Sequence, residues 1–132
     1  MLLLLLFVFS VGAQVNIEAP EPYAEVTDKD GEMSELSAGG EFSGEAPVVL
    51  KLYANAEEVD GYSLVCSWEF RREGEEEPYL VRYDHDVELD IRESGATTIQ
   101  PRIVYTSRSD SEEIWEFGSE DFEPFKIILS ES

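Results

Sequence analysis

The sequence predicts an all-β protein, an antiparallel β-sandwich of about seven or more strands. Three observations lead there. Apolar residues recur with a period of two in short runs, the spacing that puts them on one face of a strand. Clusters of Gly, Pro, Asp and Ser separate those runs. No segment after the first few residues sustains the helical period.

In chain order, Gln14 to Glu18 alternates and is expected as a first edge strand, interrupted by Ala19-Pro20-Glu21-Pro22. Tyr23 to Thr27 resumes extended character. Asp28-Lys29-Asp30-Gly31 is a turn, and Ser37 to Pro47, rich in Gly, Ser and Glu, is expected to be loop. The core is expected to begin at Val48, where Val48, Leu50 and Leu52 alternate against Val49, Lys51 and Tyr53. Val59-Asp60-Gly61 turns the chain. Ser63 to Arg71 is the clearest strand, with Leu64, Cys66, Trp68 and Phe70 pointing inward and Ser67, Glu69 and Arg71 outward.

Glu73 to Pro78 is a charged hairpin tip, and Tyr79 to Tyr83 returns from it. Val87, Leu89 and Ile91 alternate cleanly with Glu88, Asp90 and Arg92. After a turn over Glu93 to Ala96, Thr98 to Thr106 carries Ile99, Ile103 and Tyr105 on one face. Pro101 lies on that same alternation and lacks an amide hydrogen, so it argues for an edge position or a bulge. Ser107 to Glu113 reads as a polar loop, Ile114 to Phe117 as a short strand, and Phe125, Ile127 and Leu129 as the inner face of a last one.

The first residues stand apart. Leu2 to Phe9 is an apolar block ending in Ser10-Val11-Gly12-Ala13-Gln14. It is too short for a bilayer span, which needs about 20 apolar residues. Small residues Val11 and Ala13 precede a cut expected between Ala13 and Gln14, the form of a secretory signal peptide, although no Lys or Arg follows Met1. No cysteine follows the block to take a lipid. The expected organisation is a signal peptide over 1–13, N-terminal edge strands and loop over 14–47, and the sandwich core over 48–132. The destination is export to the periplasm, the cell surface or the medium.

Thirty acidic residues against nine Lys and Arg give the chain a formal net charge of −21. Such a field repels nucleic acid and anionic lipid, whose binding needs cations, and it attracts cations and basic partners. Cys66 is the only cysteine, so no disulfide can form within the chain, and its place between Leu64 and Trp68 marks it as a buried small hydrophobe.

Candidate chemistry is sparse. His85 is the only histidine, between Asp84 and Asp86 in an expected loop. No Gly-x-Ser-x-Gly elbow is present to expose a serine for it. One His and one Cys are too few to hold a zinc ion without carboxylates. With thirty acids, no single carboxylate pair of the kind glycoside hydrolysis uses is informative. The chain is read as a non-enzyme with no cofactor. Calcium is the alternative, because sandwich loops supply its hard oxygens from clustered carboxylates. Asp28 with Asp30, Asp84 with Asp86, and Glu120 with Asp121 are the candidates, and a solvated acidic loop is the plainer reading of each. Trp68 belongs to the core by alternation, whereas Trp115 either packs over an edge or serves as an exposed binding aromatic.

Trp68-Glu69-Phe70 after an alternating strand, the hairpin, the strand Val87 to Arg92, and Glu93-Ser94-Gly95 before a further alternating strand together resemble a polycystic kidney disease (PKD) repeat. That repeat is an immunoglobulin-like domain with a Trp-Asp-Phe motif. Phe42-Ser43-Gly44-Glu45-Ala46-Pro47 and the closing Ile128-Leu129-Ser130-Glu131-Ser132 are similar to a Bacteroidota cell-surface group. In that group a PKD-like domain precedes a gliding-motility-associated C-terminal domain. The pattern departs at Arg71-Arg72-Glu73-Gly74, where the family has Gly-Asp-Gly, and at Thr97-Thr98-Ile99, where it has an aromatic-containing strand opening. The resemblance implies a further domain beyond Ser132, which this sequence does not contain.

The function expected is that of a structural or adhesive module acting through protein or surface contacts, as a monomer or as part of a larger chain. Its partner is a protein or a cell surface, not nucleic acid, and the chain is not an integral membrane protein. The alternatives are a calcium-stiffened interaction domain and a secreted glycan-binding protein.

Overall fold

A computed structural model describes residues 16–131, and the leader expected over 1–13 lies outside them. The described residues form ten strands and no helix: β1 (Tyr23–Thr27), β2 (Met33–Ser37), β3 (Glu41–Glu45), β4 (Val48–Tyr53), β5 (Tyr62–Arg72), β6 (Leu80–Arg82), β7 (Asp86–Ile91), β8 (Gly95–Ser107), β9 (Ile114–Phe117) and β10 (Phe125–Ser130). They make two sheets. One has the order β2-β1-β4-β7; the other runs β3-β10-β8-β5-β6, with β9 also paired to β8. All pairings are antiparallel except β3 with β10, which is parallel. This is an immunoglobulin-like β-sandwich.

The period-two pattern works as expected. Val48, Leu50 and Leu52 of β4, Val87 of β7, Trp68 and Phe70 of β5, Ile99 and Ile103 of β8, and Phe125, Ile127 and Leu129 of β10 are buried between the sheets. Leu64, Leu89 and Ile91 pack against this core while half-buried, and Cys66 is buried in it. Trp68 is only 1 % exposed. Its ring tilts against Phe125 at 6.4 Å, and its indole N–H donates to the Asp84 carbonyl at 2.9 Å.

Several expectations need correction. Ser37 to Pro47 is not all loop, because Glu41–Glu45 forms β3 on β10. Composition alone hid this strand. Its only large apolar residue is Phe42, whose ring lies over Gly44 where a side chain would otherwise stand. The expected first strand is not formed over Asn16 to Glu18. Ser67 faces outward as expected yet is buried, 7 % exposed, because it is short and lies opposite the long Arg102. The turn after Ile91 is tighter than expected, with β8 already starting at Gly95, whose φ of 128° suits glycine. The segment expected as peripheral also supplies β1, which sits inside its sheet with Ala24 and Val26 fully buried.

Pro101 illustrates how a proline enters a long strand. The Phe70 carbonyl accepts from the Tyr79 amide, so Phe70 and Trp68 direct their backbone groups toward β6. Their partners Ile99 and Pro101 therefore direct theirs away from β5. On that far side β10 ends at Ile99 and β9 begins at Ile103. Pro101 falls in the gap between them, a local edge inside a central strand, where no ladder bond needs its missing N–H.

Candidate functional site

The same alternation leaves an opening on the other flank of β5. β8 pairs with β5 from Tyr62 to Arg72, whereas β6 covers only Trp68 to Phe70. Among the described residues no strand pairs with β5 from Tyr62 to Ser67 on the β6 side. Leu64 and Cys66 share the phase of Trp68 and Phe70, so their N–H and C=O groups point into this opening. A groove of about 650 Å³ lies there, lined by Ala56, Glu58, Tyr83 and His85. Ser63, Val65 and Arg108 also line it.

The groove exists because the chain changes sheets beside it. After β6 the backbone crosses through Tyr83, Asp84 and His85 to begin β7 in the other sheet. Trp68 fixes this crossing through the Asp84 carbonyl. His85 fixes it again: its Nε2 lies 2.7 Å from the Ala56 carbonyl and its Nδ1 2.7 Å from Asp86 Oδ1. Both partners can only accept, so both ring nitrogens are satisfied only in the imidazolium form. The Ala56 carbonyl first, and then the Asp86 carboxylate, raises the His85 pKa above its ordinary value. His85 lies in the loop expected from sequence, its side chain 45 % exposed, and from there it ties the crossing to Ala56.

The outer face of the six-stranded sheet adjoins the groove. Val65 is 53 % exposed, and Val104 lies opposite it on the same face. Ile114, also 53 % exposed, extends this face across β9, opposite Thr106. Tyr83 at the groove wall is 73 % exposed. Arg102 and Glu116 border the apolar residues with an ion pair at 3.0 Å, which holds the Glu116 carboxyl below its usual range. At the end of β5 the Tyr62 hydroxyl donates to the Glu113 carboxylate, which raises the phenol pKa. The Cys66 thiol is pushed up to about 11, mainly by burial and further by the negative charge of Asp86.

Of the acidic residues named from sequence, Asp28, Asp84, Asp86 and Asp121 use their carboxylates within the protein. Asp28 Oδ1 accepts from the amides of Asp30 and Glu32, each at 2.9 Å, shaping the turn. Asp84 is bonded to Arg82, Asp86 to His85, and Asp121 to the Gly118 amide. Among the described residues no three His, Cys, Asp or Glu side chains gather into a metal-holding group. Trp115 turns inward with Phe117 on the face of Tyr105 and Ile103, and it packs against the core. Sequence reasoning left that choice open and missed the groove entirely, although a long β5 followed by a short returning strand was its signal.

Among the described residues no helix is long and apolar enough to cross a membrane. Comparison with protein-family models, with curated proteins and with solved structures finds no match for this chain.

Proposed function

We propose that this chain is an exported, non-catalytic β-sandwich module of a bacterial cell-surface or secreted protein, working by contact with another protein or surface. The observation that carries the reading is the outer face of the six-stranded sheet. Val65, Ile114 and Tyr83 stand exposed there beside a groove, three of the five large apolar side chains that are exposed among the described residues, Met33 and Tyr79 being the others. Clustered exposed apolar side chains rimmed by polar ones mark contact surfaces. The net charge of −21 selects basic partners and disfavours self-association.

Export is supported by the apolar block and the small residues before Gln14. The PKD-like identity within a gliding-motility-associated surface protein rests on the Trp68-Glu69-Phe70 motif and the flanking runs. A core tryptophan on this strand of an immunoglobulin-like sandwich supports it in part. The export half is tested by expressing the full chain with a C-terminal tag in a diderm bacterium, then sequencing the N-terminus of the recovered protein. The proposal expects a chain beginning at Gln14 outside the cytoplasm. A chain that keeps residues 1–13 and stays in the cytosol would overturn it.

A further inference from the structure

We infer that the open flank of β5 is a strand-addition site, which binds an extended, cationic segment of a partner protein by continuing the six-stranded sheet beyond Ser67. The inference rests on the contact function just proposed and names the contact.

The geometry is that of an unfinished sheet. β6 stops pairing at Trp68, and β5 continues for a further run of residues to Tyr62. Leu64 and Cys66 each present one donor and one acceptor to the groove, at the alternate spacing that a new strand would match. Neither residue has a hydrogen bond there to any described residue. Protein chains cover or blunt such edges, because exposed rows of N–H and C=O groups recruit other strands. The strand itself carries none of the residues that blunt an edge: β5 between Tyr62 and Ser67 holds no Lys, Glu, Asp or Pro. The groove beside it offers Val65 and Tyr83 to side chains on the outer face.

Charge selects the occupant. Arg108 and His85 are the cations on the lining, and Glu58 is the acid. The nearby carboxylates of Asp84, Asp86 and Glu113 are already engaged by Arg82, His85 and Tyr62, so the draw on a cationic segment comes from the field of the whole chain. With a net charge of −21 on each chain, a second copy is repelled from this edge, and a segment carrying Lys or Arg on alternate positions is drawn to it. Backbone bonds would supply the affinity and the alternate side chains the selectivity, as in other strand-addition complexes.

The test uses the chain from Gln14 to Ser132 and a capped heptapeptide alternating Lys and Val as the probe. Nitrogen-15 spectra and amide exchange are read with the plain peptide and with two forms N-methylated on alternate residues. The inference expects Leu64 and Cys66 amides to exchange freely in the unbound chain and to become protected by the plain peptide. One N-methylated form should bind about tenfold or more weakly, because it loses the donors facing β5, while the other matches the plain peptide. Leu64→Pro, which removes a groove-facing N–H and leaves the β8 ladder intact, should weaken the probe similarly. If that variant fails to fold, Val65→Glu gives the second reading by changing the groove wall, and it should tighten the cationic probe without altering the N-methyl discrimination.

Amides already protected in the unbound chain would overturn the inference. So would an undetectable interaction, or binding that ignores N-methylation and spreads over the acidic surface. These outcomes leave the contact reading standing on the outer face. A cytosolic, unprocessed protein would sink that reading while leaving the peptide result intact.

Discussion

Replacing Trp68 by Phe should be among the costliest conservative changes in this protein. The indole is buried, touches Phe125 across the core, and donates to the Asp84 carbonyl where the chain leaves one sheet for the other. Phenylalanine keeps one ring and loses two carbons and the N–H. At about 0.8 kcal/mol per buried carbon the lost burial is roughly 1.5 kcal/mol. The lost hydrogen bond adds about 0.5–1.5 kcal/mol and leaves a part-buried carbonyl without its donor. The total is about 2–3 kcal/mol, a fall in melting temperature of roughly 8–12 °C for a domain of this size.

Trp115→Phe is the matched control. Trp115 is half-buried, and its indole bond to Glu113 is long at 3.3 Å and exposed. Its cost should be about 1 kcal/mol or less. Urea unfolding followed by circular dichroism measures both, and each variant leaves the other tryptophan as a fluorescent reporter. If Trp68→Phe costs no more than Trp115→Phe, the role given to Trp68 in joining the sheets is wrong.

Two further outcomes follow from the groove walls. The His85 pKa is raised in the folded chain, so its clamp adds stability that is fully present below the ordinary imidazole pKa and is lost as pH rises through the folded value. The stability difference between the native chain and His85→Gln should therefore shrink between about pH 6 and pH 8, measured by urea melts across that range; a constant difference would deny the imidazolium clamp. Cys66 should resist alkylation. With its thiol pushed up to about 11, the thiolate fraction at pH 8 is about a hundredfold below that of an ordinary cysteine, before burial slows access further. Mass spectrometry after iodoacetamide treatment should find it unmodified in the folded chain and modified in denaturant.

The strands with one strongly apolar face were legible from sequence because alternation there is driven by burial. Val48 to Tyr53, Ser63 to Arg71, Val87 to Ile91 and Phe125 to Ser130 all lie where the period of two puts them. The strands missed were β2 and β3, Met33–Ser37 and Glu41–Glu45, which sit at sheet edges and bury little. Their pairing is held by backbone bonds, which leave no mark on composition. The parallel pairing of Phe42 to Glu45 with Ile127 to Ser130 joins segments far apart in the chain, and no local pattern announces it. The groove was hidden for a related reason. Its chemistry is main-chain, and it depends on where β6 stops pairing and not on which side chains line it.

Whether this protein works by contact through the outer face and open flank of the six-stranded sheet is tested most directly by photo-crosslinking in cells. A photoreactive residue is placed at Val65 and, as control, at Glu88, which is exposed on β7 of the other sheet. A discrete adduct with one partner from position 65, absent from position 88 and reduced in the Leu64→Pro background, is the predicted result. Equal adducts from both positions, or none from position 65 when the protein is exported and folded, would contradict it.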